Sequence, residues 1–145
     1  MRGSGLAFRE KLSRPMDGFW ALCEENFTEA EAEMFGGWGI LVPVDLAEEV
    51  WLSFRPDDSH TSMITGAPQV LDLAQRLVLA IGLPGEIPET CDGHDLTLWF
   101  ENEAPALAAR RPGPWSADLD TAFYVALFLR AAQHSIRRGC PIIYR

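Results

Sequence analysis

The chain reads as an α+β domain, with three main helices packed on a mixed sheet of about four strands in the order α-β-β-α-β-α-β. Three observations predict it. Two long segments carry apolar residues at helical spacing. Several short runs rich in β-branched and aromatic residues lie between turn signals. The 145 residues, 48% of them hydrophobic, suit one domain spanning 1–145 with a full core.

Residues 1–15 carry basic side chains but no apolar core segment, and read as a loosely ordered arm rather than a secretory signal. In "DGFWALCEENFTEAEAEMFGG", Trp20, Cys23, Phe27, Ala30 and Met34 fall on one helical face, and Gly36-Gly37 ends it. Thr28 and Glu31 form a capping-box pattern, so this is one helix or two abutting ones. "GILVPV" and "EEVWLSF", joined by "DLAE", predict a hairpin. Pro43 cannot donate to a ladder, which places its strand at an edge or a bulge. "RPDDSHTSMITG" reads as a polar loop.

"APQVLDLAQRLVLAIGLPG" is a helix with Pro68 in its first turn, a stripe of Leu71, Ala74, Leu77, Val78 and Ile81, and Gly82 and Pro84 as its stop. A loop runs to about residue 94, and "DLTLWFE" predicts a strand. "APALAARR" gives a short helix and "PGP" a break. Ser116 is expected to cap a long helix over 117–138, with Asp118 and Asp120 at its start, Arg137 and Arg138 at its end, and Gly139 as its stop. Its middle is apolar on nearly all sides, which predicts the most buried helix. "CPIIYR" is a final strand.

The three cysteines, an odd count at wide spacing, predict free thiols in a reducing compartment, hence a cytoplasmic protein without a metal clip. No metal or cofactor is expected. The net charge of −9 disfavours nucleic acid and anionic membrane as partners. That charge is uneven. From Asp17 to Asp58 there are eleven acidic residues and one basic residue, Arg55; from Ala104 to Arg145 there are six Arg against Asp118 and Asp120.

Cys91, His94 and Asp95 in "TCDGHD" hold the elements of a nucleophile, a base and an orienting carboxylate. Asp92-Gly93 is equally a turn dipeptide leading into the expected strand, and the turn reading outweighs the catalytic one. Asp57, Asp58 and His60 make a poor metal set, His134 sits among arginines on the long helix, and "FGGWG" lacks P-loop spacing.

The most informative pattern is electrostatic. Glu25, Glu29 and Glu33 recur every four residues, with Glu24 and Glu31 beside them and no Lys or Arg to offset them. Like charges at that spacing cost a helix about 0.2–0.5 kcal/mol per pair. A sequence that tolerates such repulsion is expected to use the field to attract a basic partner protein. The surface expected to bind it comprises Glu24, Glu25, Glu29, Glu31, Glu33, Asp45, Glu48 and Glu49, with Trp38 and Trp51 as aromatic anchors. Bacterial immunity proteins, which neutralise toxin domains, are similar in size and charge. The likeness implies a small intracellular inhibitor that blocks a basic site. The alternatives are a cofactor-free thiol-dependent hydrolase using Cys91 and His94, and a structural subunit of an assembly.

Overall fold

The computed structural model describes residues 15–36, 38–46, 50–53, 61–90 and 92–143. Within them the class is α+β, as the sequence predicts, but the elements are finer and partly different. The chain runs α1 (Asp17–Asn26), α2 (Glu29–Gly36), β1 (Trp38–Val42), β2 (Val50–Ser53), β3 (Thr61–Gly66) and α3 (Ala67–Ile81). It continues through α4 (Gly93–Asn102), α5 (Ala104–Arg110), α6 (Pro114–Ala117), α7 (Leu119–Arg138) and β4 (Ile142–Ile143). Apart from Pro15, the expected N-terminal arm lies outside the described residues.

The sheet is mixed, in the order β2-β3-β1-β4, and its fourth strand has only two residues. β1 runs parallel to β3 and antiparallel to β4, while β2 and β3 are antiparallel. The hairpin expected between β1 and β2 is therefore not formed. β2 turns back onto β3 instead, and β3 lies in the segment expected to be a polar loop. Its "TSMITG" alternates in the manner of a half-buried strand: Met63 and Thr65 are buried, while Ile64 faces the other side. Counting Ser and Thr as loop formers hid that alternation, although Thr is a β-branched strand former. Pro43 falls just beyond β1, and the bulge lies near its start, between Trp38 and Ile40.

"DLTLWFE" is helical, not extended. Leu96, Leu98 and Phe100 alternate, but the fold uses a different pairing. Leu96, Thr97 and Phe100 face inward one turn apart, and Leu98 remains 42% exposed. Asp92 is the N-cap; its Oδ1 accepts the His94 N–H at 2.8 Å. The Thr97 hydroxyl donates to the Gly93 carbonyl at 2.7 Å. The dipeptide read as a turn is thus a helix start.

The long C-terminal helix is central, as predicted, but Asp118 caps it in place of Ser116. Asp118 Oδ1 accepts the Thr121 N–H at 3.2 Å, and Oδ2 accepts the Thr121 hydroxyl at 2.7 Å. Ser116 closes the short α6, donating to the Gly113 carbonyl at 2.9 Å. Gly139 takes the left-handed conformation at φ 62°, and Gly82 ends α3 in the same way at φ 65°. α3 packs along α7, and α1, α2, α4 and α6 gather around this pair. α3 buries Val70, Leu73, Ala74, Leu77 and Ile81, close to the expected stripe.

The aromatic core joins these layers. Phe128 of α7 lies 5.4 Å from Phe19 of α1, 5.2 Å from Phe35 of α2 and 6.0 Å from Trp38 of β1, ring centre to ring centre. Gly18 permits the crossing of α1 over the start of α7, since a Cβ there would stand 2.2 Å from Asp118 Oδ2. Helices cover one face of the sheet, over Leu41 and Met63. Ile40, Val42 and Ile64 are half-buried on the other.

Phe128→Ala should therefore lower stability by about 3–5 kcal/mol in urea denaturation, the range for a buried aromatic deletion. Leu79, 83% exposed on α3, should lose no more than about 0.5 kcal/mol on truncation to Ala. Equal effects at the two positions would contradict the role given to Phe128.

Candidate functional site

The amphipathic segment after residue 16 breaks into two helices at Phe27–Thr28, and a surface cleft lies at the break. The capping box forms as the sequence predicts. The Thr28 N–H donates to Glu31 Oε1 at 2.9 Å, and the Glu31 N–H donates to Thr28 Oγ1 at 3.2 Å. α1 ends with the Phe27 N–H on the Cys23 carbonyl at 2.8 Å.

Arg76 of α3 fastens this corner. Its Nη1 meets Glu31 Oε2 at 3.0 Å and its Nη2 donates to the Asn26 carbonyl at 2.8 Å. The guanidinium carbon lies 5.1 Å from the centre of the Phe27 ring. One cation thus binds the last turn of α1, the cap of α2 and the aromatic between them. The Thr28 N–H and the Arg76 guanidinium together hold the Glu31 carboxyl below the usual carboxylate range.

Between α1 and α2 lies an open cleft of about 670 Å³. Phe27 and Ala32 form its floor, with the fully buried Cys23 beneath. Trp20, 37% exposed, forms one wall. Its ring packs edge-on against Phe19 at 5.2 Å. Glu24 of α1 and Glu29 and Glu33 of α2 stand around the cleft. On the far side of α2 a second groove, about 390 Å³, is bounded by Glu31, Asp45 and Asp72 with Met34 and Leu73. Gln69 holds the Asp45 side of that groove, donating to the Asp45 carboxylate and accepting the Leu46 N–H at 3.3 Å. α2 is therefore a carboxylate-bearing ridge between two depressions.

The residues expected to bind a partner divide as follows. Glu24, Glu25, Glu29 and Glu33 are exposed, and among the described residues none has an ion pair. They do not form one continuous ladder: Glu25 belongs to α1, whereas Glu29 and Glu33 share α2. Glu31 is spent on the corner with Arg76. Asp45 is exposed at the second groove. Trp38 is 4% exposed in the core beside Phe128, so it is no surface anchor. Glu48, Glu49 and the side chain of Trp51 lie outside the described residues.

Trp20 takes the place expected for Trp38. Its spacing to Cys23 and Phe27 assigned it to the inner stripe, but Phe19, four residues before Cys23, occupies that place. Either assignment satisfies helical periodicity, so spacing alone carried no signal for the exposed ring.

Three of the C-terminal arginines are engaged away from the acidic cleft. Arg111 pairs with Glu86, and Arg137 pairs with Glu89 at 3.3 Å. Arg130 donates to the carbonyls of Ile87 at 2.6 Å and Pro88 at 3.0 Å. All three act on the loop after α3.

Comparison with protein families, curated proteins and solved structures gives no match.

Of the residues considered for thiol chemistry, Cys91 lies outside the described residues. His94 and Asp95 are exposed in the first turn of α4, where Asp95 Oδ2 accepts the Thr90 hydroxyl at 3.4 Å. Asp57, Asp58 and His60 are also outside the described residues, and within those residues no three His, Cys, Asp or Glu side chains converge on a metal position. No described helix is long and apolar enough to cross a membrane.

Two predictions come from the corner and the floor. Arg76→Met should raise the Glu31 titration midpoint, read by carboxyl NMR, toward the ordinary range. Because the folded pKa is depressed, the contribution of Arg76 to stability should be present at neutral pH and fade as pH falls through that midpoint. Burial, with the Glu24 charge adding to it, pushes the Cys23 thiol up to about 12. Cys23 should therefore resist iodoacetamide at pH 7 in the folded protein and react once urea unfolds it, as mass spectrometry of the alkylated peptide would show.

Proposed function

We propose that this protein is a small acidic binding module of the inhibitor type, which docks its α1–α2 face onto a basic site of a partner protein and occludes it. One observation carries this reading: Glu24, Glu29 and Glu33 stand around a cleft with an exposed tryptophan and, with the exposed Glu25 of α1, have no ion pair among the described residues, while Arg111, Arg130 and Arg137 are engaged on the loop after α3. A solubilising surface usually mixes signs. Here, among the described residues, the one arginine near the cleft is Arg76, and its ion pair is with Glu31 rather than with the cleft glutamates.

Blockade on this reading is steric and electrostatic. Uncompensated carboxylates steer a cationic surface toward the cleft and disfavour anionic competitors. Trp20 supplies the amphipathic contact area that binding hot spots favour. The ridge of α2, with depressions on both sides, gives the face relief that a flat acidic patch lacks. The size and charge shared with immunity proteins agree with an inhibitory role in a bacterial cytoplasm.

The test is charge reversal on the face. Glu25→Lys, Glu29→Lys and Glu33→Lys together alter exposed positions only, so the variant should keep the wild-type circular dichroism. Partner capture from the native host with wild-type protein, followed by stopped-flow kinetics on the captured protein, should give association slowed by about tenfold or more in the variant, with a flatter dependence on salt. Unchanged association in a folded variant would refute the docking face.

A further inference from the structure

The cleft's chemistry is more specific than its charge. We infer that the α1–α2 cleft receives an arginine side chain of the protein partner, its guanidinium stacked on Trp20 and bonded by Glu29 and Glu33. This inference rests on the docking reading above and specifies what enters.

Four observations support a guanidinium. The cleft floor is apolar, formed by Phe27 and Ala32, and a weakly hydrated flat cation loses less there than a strongly hydrated ammonium. Trp20, at the wall, is the aromatic that attracts cations best, and more than a third of it is open to solvent. Glu29 and Glu33 are one helical turn apart on α2, about 6 Å along the axis, a span suited to a forked donor. Glu24 adds a third carboxylate from the opposite wall.

The fourth observation is internal. Arg76 already seats a guanidinium at the neighbouring corner, over the Phe27 ring, with one α2 carboxylate and one α1 carbonyl as acceptors. The cleft offers the same elements on its other side: an aromatic face, α2 carboxylates and a contribution from α1. Phe27 belongs to both. The Glu29–Glu33 repulsion that the fold tolerates would be relieved by a cation between them.

A lysine would satisfy the charge but neither the stack nor the fork. The probes are therefore capped hexa-arginine and hexa-lysine peptides, fluorescently labelled and titrated by anisotropy into the full chain at low ionic strength. Hexa-arginine should bind about tenfold more tightly than hexa-lysine, the advantage expected of a desolvated cation–π contact. Trp20→Leu should erase that preference while leaving equal binding of both peptides, and Trp20→Phe should restore part of it. Glu29→Gln with Glu33→Gln should weaken both peptides. A preference that survives Trp20→Leu overturns the inference. Equal binding by wild type, lost in the double Gln variant, also overturns it but leaves the acidic docking face standing. No binding of either peptide overturns both.

Discussion

The position of the α1–α2 pair depends on the burial of one side chain, Phe128. This ring, near the middle of α7, touches Phe19, Phe35 and Trp38, and so ties both N-terminal helices and the first strand to the same point. α7 presents apolar side chains in almost every direction, and a helix of that kind can only be stable at the centre of a fold. α3 covers one flank, α4 and α6 others, and α1 and α2 cover what remains. The cleft is a by-product of that arrangement. Phe19 and Phe35 seat both short helices on one ring, and the cleft lies between them.

Electrostatics then sets the character of the gap. The chain carries twelve basic residues, enough to offset much of the N-terminal acidity. Four of those among the described residues have set tasks. Arg111, Arg130 and Arg137 hold the loop that follows α3, and Arg76 is committed to the corner of α1 and α2. Arg76 has a double part here. It neutralises one glutamate, Glu31, and by doing so fixes the helices that display the others.

Much of this was readable from residues alone where a local rule has a single solution. The Thr28–Glu31 capping box, the Gly82 and Gly139 stops and the buried character of α7 all follow from short-range chemistry, and all are present. The failures occur where two local solutions compete and tertiary contacts choose. "DLTLWFE" alternates like a strand, yet a capping aspartate before it starts a helix that packs against α7. β1 and β2 looked like neighbours because they are adjacent in sequence, but β3 inserts between them. For the candidate site, the glutamates were legible as charge, whereas the exposed aromatic was not. Choosing between Trp20 and Phe19 requires knowing which side of α1 meets Phe128.

The corner formed by Thr28, Glu31 and Arg76 has a further consequence. The Arg76–Glu31 pair is itself partly open to water, with side chains 42% and 34% exposed. Dissolved ions therefore reach it, as they reach the more exposed carboxylates displayed around it. Rising ionic strength would then act on this surface twice, once by damping its long-range pull and again by loosening the hinge that keeps its two helices at their set angle. On the docking reading proposed above, such a surface would lose grip more steeply than a tally of its own charges indicates, and would hold best in dilute electrolyte.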